Sequence, residues 1–375
     1  MIYSCAVPYD DVNIEADGCF DALTAVENSQ TDVKYLGSGA FGLVIGIHGT
    51  IPDLVTENTY IAIKYGLGME KDVVEGCVVS EYVDSSSLFV KTYGWTKCKT
   101  MPESWLPTKE QIIESGSKGL QKYLGYLKRG EIPPPKKKKR SKSNSLDFIF
   151  QEYAGISMGS ALDKINGVGY RLNLYDARCI AFTFLHGLLI AREKSGAFSH
   201  NDIHTGNLTI LYSESPVERI YERFGIKTNS RFQVKLIDLG ESFSTPNPGN
   251  EKCEDIDAFF ETRYWSYPGE SIYKNLEDMG EKEKWVKFAT KMREGPKMHA
   301  NDESISWHFA NNTKALIEIL LTDPFFNPLR YETENITGTI KCSMCEYALT
   351  KHKCNLCHTK LCGSCFNGHF LTSIH

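Results

Sequence analysis

The sequence contains no run of about eighteen or more apolar residues, so we expect no transmembrane helix. The segment 1–5 has neither a basic start nor a long apolar stretch, which argues against a signal peptide. Charge of one sign is also scarce, since the net charge of −5 is too small to predict a general attraction to nucleic acid. These absences predict a soluble chain without a membrane partner. A length of 375 residues with 41% apolar content suffices for two or three domains.

The most informative segment is 200–207, His-Asn-Asp-Ile-His-Thr-Gly-Asn, which is followed by Leu-Ile-Asp-Leu-Gly at 236–240. Asp202 can orient a hydroxyl group and accept its proton. Asn207 and Asp238 can supply the amide and carboxylate oxygens that Mg²⁺ prefers. This order and spacing predict phosphoryl transfer from ATP.

A glycine-rich segment upstream supplies the phosphate cradle that this chemistry needs. Segment 36–44, Leu-Gly-Ser-Gly-Ala-Phe-Gly-Leu-Val, matches G-x-G-x-x-G-x-V. Gly37, Gly39 and Gly42 let the backbone of a β-hairpin approach phosphate oxygens. Val44 would then cover the adenine. A dinucleotide site is the alternative, but it needs a helix at the third glycine, and β-branched residues continue here instead.

Segment 60–64, Tyr-Ile-Ala-Ile-Lys, predicts a strand that brings Ala62 and Lys64 to the nucleotide, with Lys64 gripping the α- and β-phosphates. Lys64 needs an anion to hold it, and Glu75 and Glu81 are the candidates. Apolar residues follow Glu75 at helical spacing, whereas the same offsets from Glu81 reach polar residues. We therefore predict a Lys64–Glu75 ion pair.

Together these motifs resemble the protein kinase superfamily over roughly residues 33–270. The resemblance implies an α+β, bilobal fold with a β-rich N-lobe and a mainly helical, trimmed C-lobe. It implies ATP and Mg²⁺ as cofactors and a hinge within 148–155. By that likeness Gln151 is the gatekeeper, and backbone groups of Glu152 and Ala154 face the adenine.

Two residues of the catalytic loop depart from the common kinase pattern. Asn201 replaces the arginine that would hold a phosphate on the activation segment, so we expect activity without phosphorylation of that segment. His204 gives an Asp-x-His-x-x-Asn pattern, which resembles haspin-like kinases, some kinases of large DNA viruses, and aminoglycoside or choline phosphotransferases. His204 either contacts the γ-phosphate or packs the loop.

The C-lobe has one clear pattern and one ambiguous one. Apolar residues recur with a 3.6 period over 177–189, which predicts a long buried helix before the catalytic loop. After Asp238, two interpretations stay open. Either 262–270 ends an activation segment, or 255–260 already opens the central C-lobe helix, as in haspin-like kinases with a shortened segment.

We predict a protein serine/threonine kinase, because the glycine loop and the Ala-Ile-Lys strand occur together. A small-molecule phosphotransferase is the alternative, supported mainly by His204 and the trimmed C-lobe. A pseudokinase scaffold is disfavoured because all four groups of the active site are present. These are Lys64, Asp202, Asn207 and Asp238.

We divide the chain into an N-terminal extension at 1–30, a kinase-like domain at 31–338 and a C-terminal module at 340–375. An insertion at 99–145 contains a proline-flanked basic run at 135–142, which we expect to be disordered and to bind the nuclear import machinery. A solvated loop or a loop touching nucleic acid phosphates is the alternative. The predicted location is the nucleus and cytoplasm, those of a host cell if the protein is viral. A second insertion, 213–229, includes a Ser-Pro pair that predicts a short helix.

Half of the twelve cysteines lie in the C-terminal module as three C-x2-C pairs, a spacing typical of zinc sites. The predicted ligands of two zinc ions are Cys342, Cys345, Cys354, Cys357, Cys362, Cys365, His369 and His375. His352 and His358 are weaker candidates. A disulfide framework is disfavoured, since the chain is expected to be intracellular and its other six cysteines are scattered.

The spacing of these ligands resembles the cross-brace zinc folds of ZZ and RING modules and the cysteine-rich end of piggyBac-type transposases. The resemblance implies that Cys342 and Cys345 share an ion with Cys362 and Cys365, and that the middle pair uses two histidines. Such a module needs its metal to fold. We favour a protein partner for it over DNA contact or ubiquitin-ligase activity.

Overall fold

A computed structural model describes residues 2–11, 33–38, 42–98, 146–242, 254–294 and 313–330, apart from a few positions within them, together with the pairs 352–353 and 360–361. These residues form an α+β structure of antiparallel sheets and helices. The chain divides into two units, 1–329 and 330–375. The α+β class predicted from sequence is confirmed.

The first sheet has five antiparallel strands in the order β1-β2-β3-β5-β4. The strands are β1 (Val33–Ser38), β2 (Gly42–Ile51), β3 (Val55–Gly66), β4 (Thr92–Cys98) and β5 (Leu146–Glu152). Alternate residues of β2 and of the second half of β3 are buried, as Ile45 and Ile63 show. Because strand side chains alternate between faces, Val44 and its register partner Lys64 lie together on the opposite face.

A helix between the third and fourth strands covers one end of this sheet. Helix α1 (Glu70–Ser80) packs Val73 against Trp95 of β4 and Ile149 of β5. Met69, immediately before the helix, belongs to the same small apolar cluster. The helix therefore occupies a fixed place beside Lys64.

The remaining elements of the first unit are mainly helical. They are β6 (Ile156–Ser157), α2 (Met158–Leu162), α3 (Leu174–Ser195), β7 (Leu208–Tyr221), β8 (Ile226–Leu236), α4 (Glu254–Phe259), α5 (Pro268–Asn275), α6 (Met279–Glu294) and α7 (Thr313–Leu321). Strands β6, β7 and β8 form a three-stranded antiparallel sheet. Leu236 N, at the end of β8, donates to Leu88 O, in the segment before β4, at 2.7 Å.

Helix α3 is the centre of the largest apolar core. Asn173 and Asp176 form a capping box at its start, and Gly196, with φ of 81°, ends it. The apolar stripe predicted at 177–189 lies within α3 and is buried, so that prediction is confirmed. By length and composition α3 could cross a membrane, but 83% of its most apolar window is buried inside the protein. Its apolar side chains are thus covered by the chain itself.

The insertion at 213–229 is a hairpin and not the short helix predicted from its Ser-Pro pair. It extends β7 and β8, with the 3₁₀ turn Glu222–Phe224 at its tip. Tyr221 near the tip packs its ring against Phe182 of α3 at 4.9 Å. Packing of the hairpin on α3 therefore outweighs the local preference for a helix start.

A disulfide joins two of the scattered cysteines, Cys5 and Cys77, and Cys98 is disulfide-bonded as well. Cys179 is a free, buried thiol. These cross-links differ from the expectation for an intracellular chain, because disulfides persist mainly under oxidising conditions. Sequence spacing gives no sign of the Cys5–Cys77 pair, since its partners are 72 residues apart.

In the second unit the structure describes one antiparallel ladder, β9 (His352–Lys353) with β10 (Lys360–Leu361). The predicted zinc ligands from Cys342 to His375 lie outside the described residues, as do the basic run at 135–142 and most of the insertion that contains it.

Candidate active site

Lys64 is the centre of a buried ion-pair network. Its Nζ lies 2.6 Å from Asp72 Oδ2 and 2.8 Å from Asp238 Oδ1. Burial alone would lower the pKa of Lys64, but the two carboxylates outweigh it, and the net pKa is raised. Lys64 therefore stays charged at neutral pH.

The helix partner of Lys64 is Asp72 and not Glu75, so the predicted Lys64–Glu75 pair is wrong. Helix α1 buries Asp72, Val73, Gly76 and Val79, which defines a sheet-facing stripe that passes through Asp72. Glu75 lies beside this stripe and is only half-buried. Burial raises the pKa of Asp72, with Lys64 opposing that effect.

Close approach of α1 to the turn after β8 explains the glycine of Asp-Leu-Gly. A Cβ added to Gly240 would lie 3.3 Å from Asp72 Oδ2, tighter than ordinary contact. Asp72 is one methylene shorter than a glutamate. It still reaches Lys64, because α1 lies close to the turn after β8. The missed signal in the sequence was the stripe Asp72, Val73, Gly76, Val79.

Asp238 follows β8 in a left-handed conformation, with φ of 62°. Non-glycine residues in this region are uncommon and concentrate at functional sites. Its side chain is 26% exposed, and it opens the 3₁₀ turn Leu239–Glu241. Burial raises the pKa of Asp238, but the pair with Lys64 outweighs burial and the net pKa is lowered. The carboxylate is therefore ionised at neutral pH.

Asp202 and Asn207 contact each other directly. Asn207 Nδ2 donates to Asp202 Oδ2 at 2.9 Å and to Asp202 O at 3.0 Å. Asp202 keeps 47% of its side chain exposed, whereas Asn207 is buried. The loop thus exposes the Asp202 carboxylate to solvent, while Asn207 holds that carboxylate from the buried side.

His204 lies on the exposed side of the same carboxylate. Its Nε2 is 3.5 Å from Asp202 Oδ2, and Gly206 N donates to its Nδ1 at 2.9 Å. The proton of a neutral imidazole would then sit on Nε2, facing Asp202. A Cβ at Gly206 would come within 2.7 Å of the ring, so this arrangement needs glycine there. His204 packs the loop and also reaches the Asp202 carboxylate.

His200 ties the catalytic loop to the strand that ends at Asp238. Its Nε2 lies 3.0 Å from Ile237 O, and its Nδ1 accepts from Asp202 N at 3.3 Å. Ile237 N in turn donates to Asn207 O at 2.9 Å. These bonds bring Asp238 beside the loop that carries Asp202 and Asn207, although Asp238 is distant from them in sequence.

Asp255 anchors the start of the catalytic loop by accepting hydrogen bonds from residues 199–201. Its buried carboxylate accepts from His200 N at 2.7 Å, Asn201 N at 2.9 Å and Ser199 Oγ at 3.2 Å. Asp255 lies in the first turn of α4, a helix of six residues, and a second helix, α5, begins at Pro268, so both interpretations of this region stay open. The segment 262–270 follows that helix.

Asn201, which replaces the expected arginine, has its own structural role. It adopts φ of 62°, a conformation that asparagine tolerates better than most residues. Its Nδ2 donates to Glu241 O at 3.2 Å, and its Oδ1 accepts from Ser199 Oγ at 2.9 Å. Asn201 therefore connects the catalytic loop to the turn after Asp238.

The predicted hinge lies at the end of β5. Glu152 N donates to Lys91 O at 2.8 Å, so this N–H is engaged within the protein. Glu152 also pairs with Lys235 Nζ of β8 at 3.0 Å, a contact that the sequence did not indicate. Gln151 Nε2 donates to Thr92 Oγ1 at 3.2 Å, and Ala154 is buried.

The predicted nucleotide-contacting residues of the first sheet lie on its non-core face. Ala62 pairs in register with Gly46, two positions from the Val44–Lys64 pair, so Ala62, Val44 and Lys64 share that face. Gly37 lies in β1 and Gly42 begins β2. Gly39 lies outside the described residues.

The arrangement joins one ammonium, three carboxylates and one amide at the meeting point of two sheets. It can hold a cation through Asp238 and Asn207, neutralise anionic charge through Lys64, and present Asp202 to a hydroxyl group. No protein-family model and no curated protein matches this chain.

Proposed function

We propose that this protein has a bilobal protein-kinase fold and transfers the γ-phosphoryl group of ATP to serine or threonine hydroxyls of proteins. The proposal depends on two side-chain contacts within the site. Lys64 contacts Asp238, and Asn207 contacts Asp202. Ile237, the neighbour of Asp238, donates its N–H to Asn207 O at 2.9 Å, which joins the two pairs into one network.

The donor set fits Mg²⁺. Asp238 is ionised because Lys64 lowers its pKa, and Asn207 commits its Nδ2 to Asp202, which leaves the amide oxygen as its donor atom. Carboxylate and amide oxygens are hard ligands of the kind that Mg²⁺ prefers. Magnesium-bound ATP would supply the phosphoryl group and neutralise part of its charge.

The residues of this chain then have separate tasks. Lys64 carries a permanent positive charge toward the phosphates, held in place by Asp72. Asp202 orients the substrate hydroxyl and accepts its proton, and the contact with Asn207 fixes the carboxylate for that role. His204, 3.5 Å from the same carboxylate, borders the place where the hydroxyl arrives.

Incubation with labelled ATP and Mg²⁺ tests the proposal, with a panel of basic proteins in one arm and aminoglycosides and amino alcohols in the other. We expect label on protein serine or threonine. Transfer only to small molecules would establish the alternative phosphotransferase, and no transfer in either arm would support a scaffold.

The variant Asp202→Ala should lower kcat by about 10²–10⁴-fold, the usual contribution of a general base. The matched control is Glu218→Ala, which removes an exposed carboxylate of β7 that pairs with Lys227. It should keep wild-type kcat. Equal losses in both variants would contradict a special role for Asp202.

We also propose that the protein enters the nucleus through 135–142 and that the module at 340–375 binds two zinc ions and a protein or DNA partner. The support is the sequence pattern alone. Replacing the lysines of the basic run with alanine should shift a fluorescent fusion from nucleus to cytoplasm.

A further inference from the structure

The N-terminal segment 2–11 pairs with β4, the edge strand of the first sheet. Tyr3 N donates to Trp95 O at 2.8 Å, and Trp95 N donates to Tyr3 O at 2.9 Å. The rings of Tyr3 and Tyr9 lie 5.3 Å and 5.0 Å from that of Trp95. A Cβ at Gly94 would come within 2.4 Å of Tyr3 O, so the strand needs glycine where the segment docks.

The segment also anchors the start of helix α1. Tyr9 OH donates to Asp147 Oδ1 at 2.9 Å, and Met69 N donates to Asp147 Oδ2 at 2.8 Å. One buried carboxylate thus joins the segment to the residue before the helix. Lys97 Nζ donates to Tyr9 O at 2.9 Å and lies 3.5 Å from the centre of its ring.

The third attachment is covalent. The Cys5–Cys77 disulfide connects the segment to the C-terminal half of α1, whereas Asp147 acts at the beginning of the helix. Among the described residues, the small cluster between α1 and the sheet has four buried members, and Tyr3, Tyr9 and Cys77 pack against it. Val79 of α1 is buried in the large core instead. The segment therefore supports one side of α1, and the large core supports the other.

We propose that the Cys5–Cys77 disulfide is a redox-sensitive latch that holds α1, and with it Asp72, against Lys64. Only the predicted effect of the disulfide on activity depends on the proposed phosphoryl transfer. In the oxidised form the segment and α1 move as one body. In the reduced form α1 is held more weakly, the Lys64–Asp72 pair forms less often, and phosphate binding by Lys64 weakens.

The chemistry is thiol–disulfide exchange with a dithiol reductant. A thiolate of the reductant attacks one sulfur of the Cys5–Cys77 bond, and the second thiolate then closes the reductant's own disulfide. Two electrons and two protons pass to the protein, which gains two thiols. Cys5 and Cys77 are only half-buried, so a small dithiol can reach them.

Hydrogen exchange in the full chain, with and without dithiothreitol, tests the latch independently of activity. We expect amides of 70–80 to exchange at least tenfold faster after reduction, while those of α3 stay unchanged. Phosphoryl transfer should fall at least threefold in parallel. Peptide mapping without reductant should recover Cys5 linked to Cys77, and recovery of both only as thiols would overturn the latch.

Cysteine variants identify the bond responsible. We expect the same exchange and activity as in the reduced wild type for Cys5→Ser, Cys77→Ser and the double variant. Dithiothreitol should not change either quantity in these variants. The double variant should be no less active than either single variant. Cys179→Ala should keep the wild-type response. If Cys77→Ser fails to fold, Cys5→Ser alone tests the latch, because Cys5 lies outside helix α1.

The two proposals fail separately. Faster exchange of α1 on reduction in a protein that transfers no phosphate would support the latch and refute the kinase. Unchanged exchange of α1 would overturn the latch, whatever the activity does.

Discussion

His186 should make the stability of the protein sensitive to mild acid. The side chain is 9% exposed and lies between aromatic rings, with Tyr221 at 4.7 Å and Phe182 at 6.1 Å. Its Nδ1 is buried and has no hydrogen-bond partner among the residues that the structure describes. Burial, together with the positive charge of Arg223, lowers the pKa of His186 to about 4, with Glu193 opposing.

The size of the destabilisation follows from the shift in the pKa of His186. In the unfolded chain the imidazole has the ordinary pKa of 6.5, so it takes up a proton well before the folded form does. Protons therefore favour unfolding between pH 6.5 and 4, and the free energy of unfolding falls as pH falls through this range. At about 1.4 kcal/mol per pH unit, the loss approaches about 3 kcal/mol near pH 4. Above pH 6.5 the residue has no effect.

The assay is urea unfolding of wild type and His186→Phe at pH 7, 6 and 5. The phenyl ring preserves the aromatic packing and removes the titration. Because the other groups titrate in both proteins, the difference between them isolates His186. That difference should shift in favour of the variant by about 2 kcal/mol between pH 7 and 5.

The control is His48→Phe, which removes an exposed imidazole from β2. It should follow the wild-type dependence on pH. If His186→Phe and wild type lose stability in parallel between pH 7 and 5, burial of a neutral imidazole is not the source of acid sensitivity, and the argument fails.

Three further predictions concern the site and the tail. Asp72→Asn should lower phosphoryl transfer at least tenfold and destabilise the fold by roughly 3 kcal/mol in urea, because it breaks a buried ion pair, whereas Glu75→Gln should change both little. Phosphatase treatment should leave activity within about twofold, since Asn201 cannot clamp a phosphate as an arginine would; loss of activity would contradict this. A zinc-selective chelator should release two zinc ions per chain, measured with a metallochromic dye, and release of none would refute the metal assignment.

The closeness of Asp202 and Asn207 was predictable because both lie in a short segment with fixed spacing. Asp202 and Asn207 contact each other across a single loop, so local sequence determines their geometry. The long helix was predictable for a similar reason, since its apolar period is sustained over many residues.

The partner of Lys64 was not predictable in the same way. Choosing between Asp72 and Glu75 depends on which side of α1 faces the sheet, and apolar residues after Glu75 pointed to the wrong side. Three-dimensional packing, with Val73 against Trp95, decides the rotation of the helix. The Cys5–Cys77 pair and the Glu152–Lys235 pair join distant segments and leave no periodic trace in the sequence.

The short distance between Asp72 and Gly240 has a consequence for inhibitor chemistry. Compounds that extend past Lys64 need room between α1 and the turn after β8, and here a carboxylate already lies 3.3 Å from the place where a Cβ at position 240 would be. Ligands of that shape would have to displace the helix, and with it the cross-linked N-terminal segment. In the proposed nucleotide site, compact ligands that end before α1 should therefore fit more easily than longer ones.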